Sequence, residues 1–135
     1  MRKKDGHKGL TLLGKQVSGT IGKDGLESFP KPDHVELVEF VTHEVTAFCP
    51  VTNQPDLYTV EITYAPRDIC VESKSLKMYL NSFRDQGMFG EAIAGVIAEA
   101  IDSALKPLFV TVVTKQQIRG GLQMTSTAEI STEVE

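Results

Sequence analysis

Two hydrophobic rhythms run along the chain, one with a period of two and one with a period near 3.6. From Val35 to Phe48, β-branched residues alternate with charges, which predicts a strand. The stretch Cys49–Asp56 breaks that rhythm with two prolines and an asparagine. Over 57–64 alternation returns cleanly, with Tyr58, Val60, Ile62 and Tyr64 on one side and Thr59, Glu61 and Thr63 on the other, so a second strand is predicted. The period then changes. Leu76, Tyr79, Leu80 and Phe83 form a helical stripe over 74–84, with Ser73 as the expected N-cap and Gly87 beyond the end. Phe89, Ile93, Val96, Ile97, Ala100 and Ile101 predict a second helix over 89–105, stopped by Pro107. Residues 108–115 and 121–130 read as third and fourth strands, the last with Leu122, Met124, Ser126, Ala128 and Ile130 on one face.

The order is ββααββ. Two hairpins flanking two helices are most economically arranged as an α+β fold, a four-stranded antiparallel sheet with both helices on one face. The other face is left uncovered, and its Thr/Glu row suits the lining of an assembly, so a homo-oligomer is expected. Residues 1–27 carry Gly and Lys without periodicity and are expected to form an irregular arm. Residues 28–33 hold two prolines and should be extended. The tail over 131–135 is expected to fray. One domain over 1–135 fits the length, with no repeat and no linker.

Composition narrows the function classes. The chain is 41% hydrophobic and 24% charged, a folding composition. Its net charge of −4 argues against a free-standing nucleic-acid binder. Two cysteines do not make a disulfide scaffold. No apolar run reaches the roughly 18 residues of a membrane span, and no apolar signal core follows the basic start. A cytoplasmic protein with reduced thiols is expected.

Individual residues offer candidate chemistry, each with a plainer alternative. Cys49 lies at a strand end, where sites are commonly built, yet a free cysteine is more often a small core residue. Cys70 has no supporting context and reads as structural. Asp56, seven residues after Cys49, is either a turn aspartate or the group that handles a proton beside a thiol nucleophile. Lys74 and Lys77 share one helix face, where they oppose the helix dipole unless an anion binds; a solvated lysine face is the plain reading. Arg119-Gly120-Gly121 puts a cation on a turn that lets backbone approach a ligand closely, or is simply a hairpin turn. Glu91 in the first turn of the second helix either complements the dipole or accepts paired N–H donors. His7, His34 and His43 do not combine with the cysteines at metal-site spacing, so no metal is expected. No glycine-rich dinucleotide loop is present.

Taken together, these signals resemble one family, the NADPH-dependent 7-cyano-7-deazaguanine reductases of the QueF type, in the short single-module form. The resemblance runs from Thr11-Leu12-Leu13-Gly14 and Leu26-Glu27-Ser28-Phe29-Pro30, through Cys49-Pro50-Val51-Thr52-Asn53-Gln54-Pro55-Asp56, to the block ESKSLKMY at 72–79, and on through Ser82-Phe83-Arg84, Glu91 and Arg119-Gly120-Gly121. It implies a tunnelling fold whose subunits join edge to edge into stacked rings, a decamer, with active sites between subunits. It implies reduction of the nitrile 7-cyano-7-deazaguanine to the aminomethyl base in queuosine biosynthesis for tRNA modification, with NADPH as cofactor. By the same resemblance Cys49 is the nucleophile that forms a thioimide and Asp56 handles the proton. Glu91 holds the deazaguanine edge, Glu72 and Ser73 lie near the pocket, and Lys74, Lys77 and Arg119 hold NADPH.

One position departs from the family pattern. Where the family usually carries a histidine just before the substrate-binding glutamate, this chain has Gly90. The change puts positioning of the nitrile, or of the imine formed after the first hydride, in question. Two other classes stay in view: an archaeosine-synthase-type relative that forms the same thioimide without NADPH, and a non-catalytic deazapurine-binding module. Retention of Lys74, Lys77 and Arg119 weighs against the first, and retention of Cys49 and Asp56 against the second.

Overall fold

The computed structural model describes residues 25–132. The expected arm over 1–24, with its Thr11–Gly14 motif, and residues 133–135 lie outside them. Six strands and two α-helices follow in order: β1 (Ser28–Pro30), β2 (Val38–Phe48), β3 (Pro55–Ala65), β4 (Ile69–Val71), α1 (Ser73–Asn81), α2 (Gly90–Leu105), β5 (Phe109–Gln116) and β6 (Thr125–Ser131), with a 3-10 turn at Ser82–Asp85 after α1. The main sheet is antiparallel throughout, in the order β2-β3-β5-β6. This is the ββααββ, α+β arrangement that the two rhythms predict.

Alternation decides which face is buried. Tyr58, Val60, Ile62 and Tyr64 of β3 and Val110 and Val112 of β5 are buried under the helices. The α2 stripe Ile93, Ile97 and Ile101 closes over β5 and β6, and each such side chain contributes roughly 1.5–3 kcal/mol by leaving water. Leu76, Tyr79 and Leu80 of α1 and Phe83 of the following turn complete the core. On the opposite face Val41, Glu61, Val113 and Thr127 fall in one cross-strand row, and a Lys115–Glu61 ion pair at 3.3 Å crosses it.

Several boundaries differ from expectation, each for a local reason. The first predicted strand, β2, begins at Val38, not Val35, because His34 sits at φ 71 and turns the chain. The first helix is capped by Glu72, not Ser73: the Glu72 carboxylate accepts from the backbone N–H of Ser75 at 2.8 Å and of Lys74 at 2.9 Å. It ends at Asn81, and the predicted last turn tightens into the 3-10 segment. The last predicted strand, β6, starts at Thr125, since Gly120 and Gly121 (φ 58 and 77) form a tight turn closed by two 2.9 Å bonds between Arg119 and Leu122. Two successive positive φ angles are the geometry that glycine permits without strain.

A two-stranded sheet, β1 with β4, was not anticipated beyond the extended reading of 28–33. Three-residue strands leave too little alternation to read. Next to it, the end of the expected irregular arm is tied down by hydrogen bonds. Glu27 donates its N–H to Ser75 Oγ at 3.0 Å and accepts from the Glu72 N–H at 2.7 Å. The expected frayed tail is likewise ordered at its start: Ser131 ends β6, and Thr132 donates its N–H to Leu108 O at 3.0 Å.

Candidate active site

The hairpin between β2 and β3 places Cys49 and Asp56 beside one another. Phe48 pairs with Pro55 and Ala47 with Asp56, so the six residues between form a short loop at the strand ends. Two 2.8 Å bonds close it, from the Cys49 N–H to Gln54 O and from the Asn53 N–H to Cys49 O. Asn53 turns the chain at φ 59, a conformation asparagine tolerates better than most residues. Inside this loop the thiol of Cys49 is held below the ordinary thiol range. The Thr52 hydroxyl is the largest cause, and the backbone N–H groups of Thr52 and Val51 add to it; desolvation and the Asp56 charge push the other way. A thiolate is the reactive form of cysteine, so this loop suits a nucleophile.

The segment 86–88 docks on the same strand end. Phe48 donates its N–H to Gln86 O at 2.8 Å, and Met88 donates to Phe48 O at 2.9 Å. That contact sets the start of α2, and with it Gly90 and Glu91, next to the Cys49 loop. Thr114 of β5 fixes the same turn by donating to Gly90 O at 3.3 Å. Glu91 is exposed and faces outward from the protomer.

Asp56 is 6% exposed and paired with the guanidinium of Arg119. Backbone geometry explains the meeting. Gln117 donates its N–H to Leu57 O at 2.9 Å, carrying the chain after β5 alongside the start of β3. The Arg119-Gly120-Gly121 turn is therefore a hairpin turn in its backbone, and the Arg119 side chain reaches the acid at position 56. In the free protomer this cation serves Asp56.

The lysine end of α1 is a separate region. Glu72, 5% exposed, has both carboxylate oxygens on helix N–H groups. It offsets the dipole that Lys74 and Lys77 oppose, and it occupies two of the amides that a phosphate would otherwise have used. A cavity of about 600 Å³ lies between α1 and the β2 bulge at Thr42/Val45, lined by Phe40, His43, Val45, Ser73, Leu76 and Lys77 among others. Arg119 is not among its lining residues. A lysine beside an apolar wall has the donor chemistry that an anionic dinucleotide needs; Lys77 lines this cavity, and Lys74 is not among its lining residues.

Cys70 is buried against β1 opposite Phe29, beside Tyr64, and burial pushes its thiol up. Two residues that the sequence left out belong to the site. Thr52 acts on the Cys49 thiol. Tyr58, read from periodicity as a core residue, shares a strand face with Asp56 two residues earlier, and that offset was the available signal. Among the described residues, no cluster of His, Cys, Asp and Glu could hold a metal ion, and no helix is long and apolar enough to cross a membrane.

A thiol of lowered pKa beside a buried carboxylate on a ββααββ sheet suits nucleophilic chemistry, and comparisons with known proteins make the class specific. The family model described as QueF-like protein matches residues 55–135. A NADPH-dependent 7-cyano-7-deazaguanine reductase from Syntrophus aciditrophicus (strain SB) is 41% identical over 122 residues, covering 89% of this chain and 85% of that protein. The reductase of the same name from Anaeromyxobacter sp. (strain Fw109-5) is 44% identical over 105 residues, covering 76% and 86%. A crystal structure of an archaeosine synthase QueF-Like in the apo form superposes with a TM-score of 0.67 at 26% identity, covering 74% of this chain and 97% of that one. The chain belongs to the QueF family.

Proposed function

We infer that this protein is an NADPH-dependent 7-cyano-7-deazaguanine reductase, which converts the nitrile to the aminomethyl base of the queuosine pathway. The observation that carries the reading is the Cys49 loop, where a thiol of lowered pKa lies beside a buried, arginine-paired carboxylate. Chain similarity to reductases at 41–44% identity supports it.

The Cys49 sulfur bonds to the nitrile carbon, and one C–N π pair moves to nitrogen. Asp56 takes the thiol proton and passes it to that nitrogen, giving a neutral thioimide with atoms and charge balanced. NADPH, when bound, supplies hydride. Reduction of the nitrile to the amine would take two hydrides and two further protons, with the Cys49 sulfur released between them. Arg119 keeps the Asp56 carboxylate oriented, Glu91 accepts N–H donors of the deazaguanine edge, and Ser73 and Glu72 shape the neighbouring wall. Lys74 and Lys77 hold the dinucleotide phosphates.

The protein acts as a ring-shaped homo-oligomer, a decamer, with sites completed between subunits. Its outer strands β2 and β6 have no sheet partner beyond one side among the described residues, and such edges favour strand pairing with another copy. Glu91 and Lys77 are exposed in the protomer, so a neighbouring subunit can close over them. Unpaired Cys49 and Cys70 suit a reducing cytoplasm.

The test is NADPH oxidation with free 7-cyano-7-deazaguanine. Two NADPH consumed per nitrile, lost in Cys49→Ala, is the expected result. The archaeosine synthase likeness and Gly90 favour a second reading, amidine formation. An adduct that ammonia discharges to the amidine, with release of the Cys49 thiol and no NADPH consumed, would select it.

A further inference from the structure

Gly90 and Tyr58 are sterically coupled. A Cβ at position 90 would lie 2.9 Å from Cε1 of Tyr58, 3.3 Å from its hydroxyl and 2.8 Å from the Met124 methyl. The first of these atoms belongs to a rigid ring on a paired strand, which has little room to yield. So a side chain at 90 and an aromatic ring at 58 exclude each other, and the space that a residue before Glu91 would fill is taken from the other side by the tyrosine.

The ring does more than fill space. Tyr58 is 2% exposed, and its hydroxyl finds no hydrogen-bond partner among the described residues. A buried unpaired hydroxyl is unfavourable, and native structures keep few of them. Tyr79 is the other such phenol, and burial alone raises its pKa. Tyr58 differs. Burial raises it to about 12, and the charges acting on it are Asp56, Glu91, Cys49 and Arg119, the site itself. At neutral pH it is a protonated donor beside the nucleophile loop.

We propose that Tyr58 is a ligand-binding residue of this site, its hydroxyl donating a hydrogen bond to the reacting nitrogen of a bound nitrile or imine once the Met124 methyl moves aside. It supplies from β3 the polar group that Gly90 cannot supply from α2. The proposal rests on the reductase reading, because the ligand nitrogen is that of the nitrile.

The test is Tyr58→Phe in the full-length chain, which keeps the ring and removes only the hydroxyl. Thermal stability should hold or rise, since an unpaired buried group is lost, while kcat/KM for the nitrile falls roughly 10- to 100-fold, the worth of one hydrogen bond to a charged or charging atom. Stability up with activity down is a pattern that a packing role does not produce. Unchanged kcat/KM, or a parallel loss of both, overturns the proposal. A second pair of variants guards against misfolding. Gly90→His alone should lose activity through the clash, and Tyr58→Ala combined with Gly90→His should regain it. Failure of the pair to recover beyond Tyr58→Ala counts against the coupling. The wild-type protein separates this inference from the reading beneath it: no turnover and no adduct with the nitrile defeats the reading, whereas normal wild-type turnover with an indifferent Tyr58→Phe defeats only the proposal.

Discussion

The Cys49 loop and the start of α1 both lead out of a strand, and they use their polar groups in opposite ways. At the loop, the polar groups are turned on one another or on the thiol: Asp56 is buried on Arg119, and Thr52 faces Cys49. At α1, the Glu72 carboxylate caps two helix N–H groups, and Lys77 is exposed. In one region the thiol, its hydroxyl partner, the acid and the guanidinium already meet within a protomer. The other carries an exposed lysine, Lys77, on a helix whose N-terminus is already capped. Covalent and cofactor functions should therefore separate cleanly under mutation.

The largest separation is expected at Asp56. Asp56→Asn should slow thioimide formation by roughly 10²–10⁴-fold, the usual worth of a positioned proton carrier. Rapid-quench mass measurement of the adduct reads it, and an unaltered rate would remove Asp56 from the chemistry. Next, Lys74→Ala and Lys77→Ala should each raise the KM for NADPH roughly tenfold, through lost contacts to phosphate, and leave adduct formation alone. A slowed adduct in either variant would dissolve the distinction between the two regions.

Smaller effects sharpen it. Glu72→Ala should lower stability by about 1 kcal/mol through loss of the cap, read by urea unfolding. A drop in nitrile affinity with stability unchanged would instead place Glu72 on the ligand. Last, Thr52 lowers the Cys49 pKa, so the thiolate is present above that pKa and lost as pH falls through it. Thr52→Val should move the midpoint of iodoacetamide alkylation to higher pH. A midpoint that stays put would mean that the hydroxyl does not stabilise the thiolate.

How much of this was legible in the sequence follows from interaction range. Tyr58, Val60, Ile62 and Tyr64 declared a buried face because alternation is a local property, and Ile93, Ile97 and Ile101 declared the covering helix in the same way. Cys49 and Asp56 were legible as a pair because one hairpin joins them. The Asp56–Arg119 ion pair was not, since it spans 63 residues and depends on how β5 runs past β3. Glu72 was legible as a site candidate but not as the helix cap, expected at Ser73, because only its two N–H partners show what its carboxylate holds. Tyr58 was placed correctly in the core, but nothing local shows that its hydroxyl lacks a partner or that its ring fills the space above Gly90.

The account turns on a bond between the Cys49 sulfur and a nitrile carbon. Intact-protein mass spectrometry after incubation with 7-cyano-7-deazaguanine, without NADPH, measures it directly. The predicted result is a mass increase equal to one whole nitrile molecule per chain, located at Cys49 by peptide mapping, absent in Cys49→Ala and discharged by NADPH. No added mass, or an adduct that persists in Cys49→Ala, would contradict it.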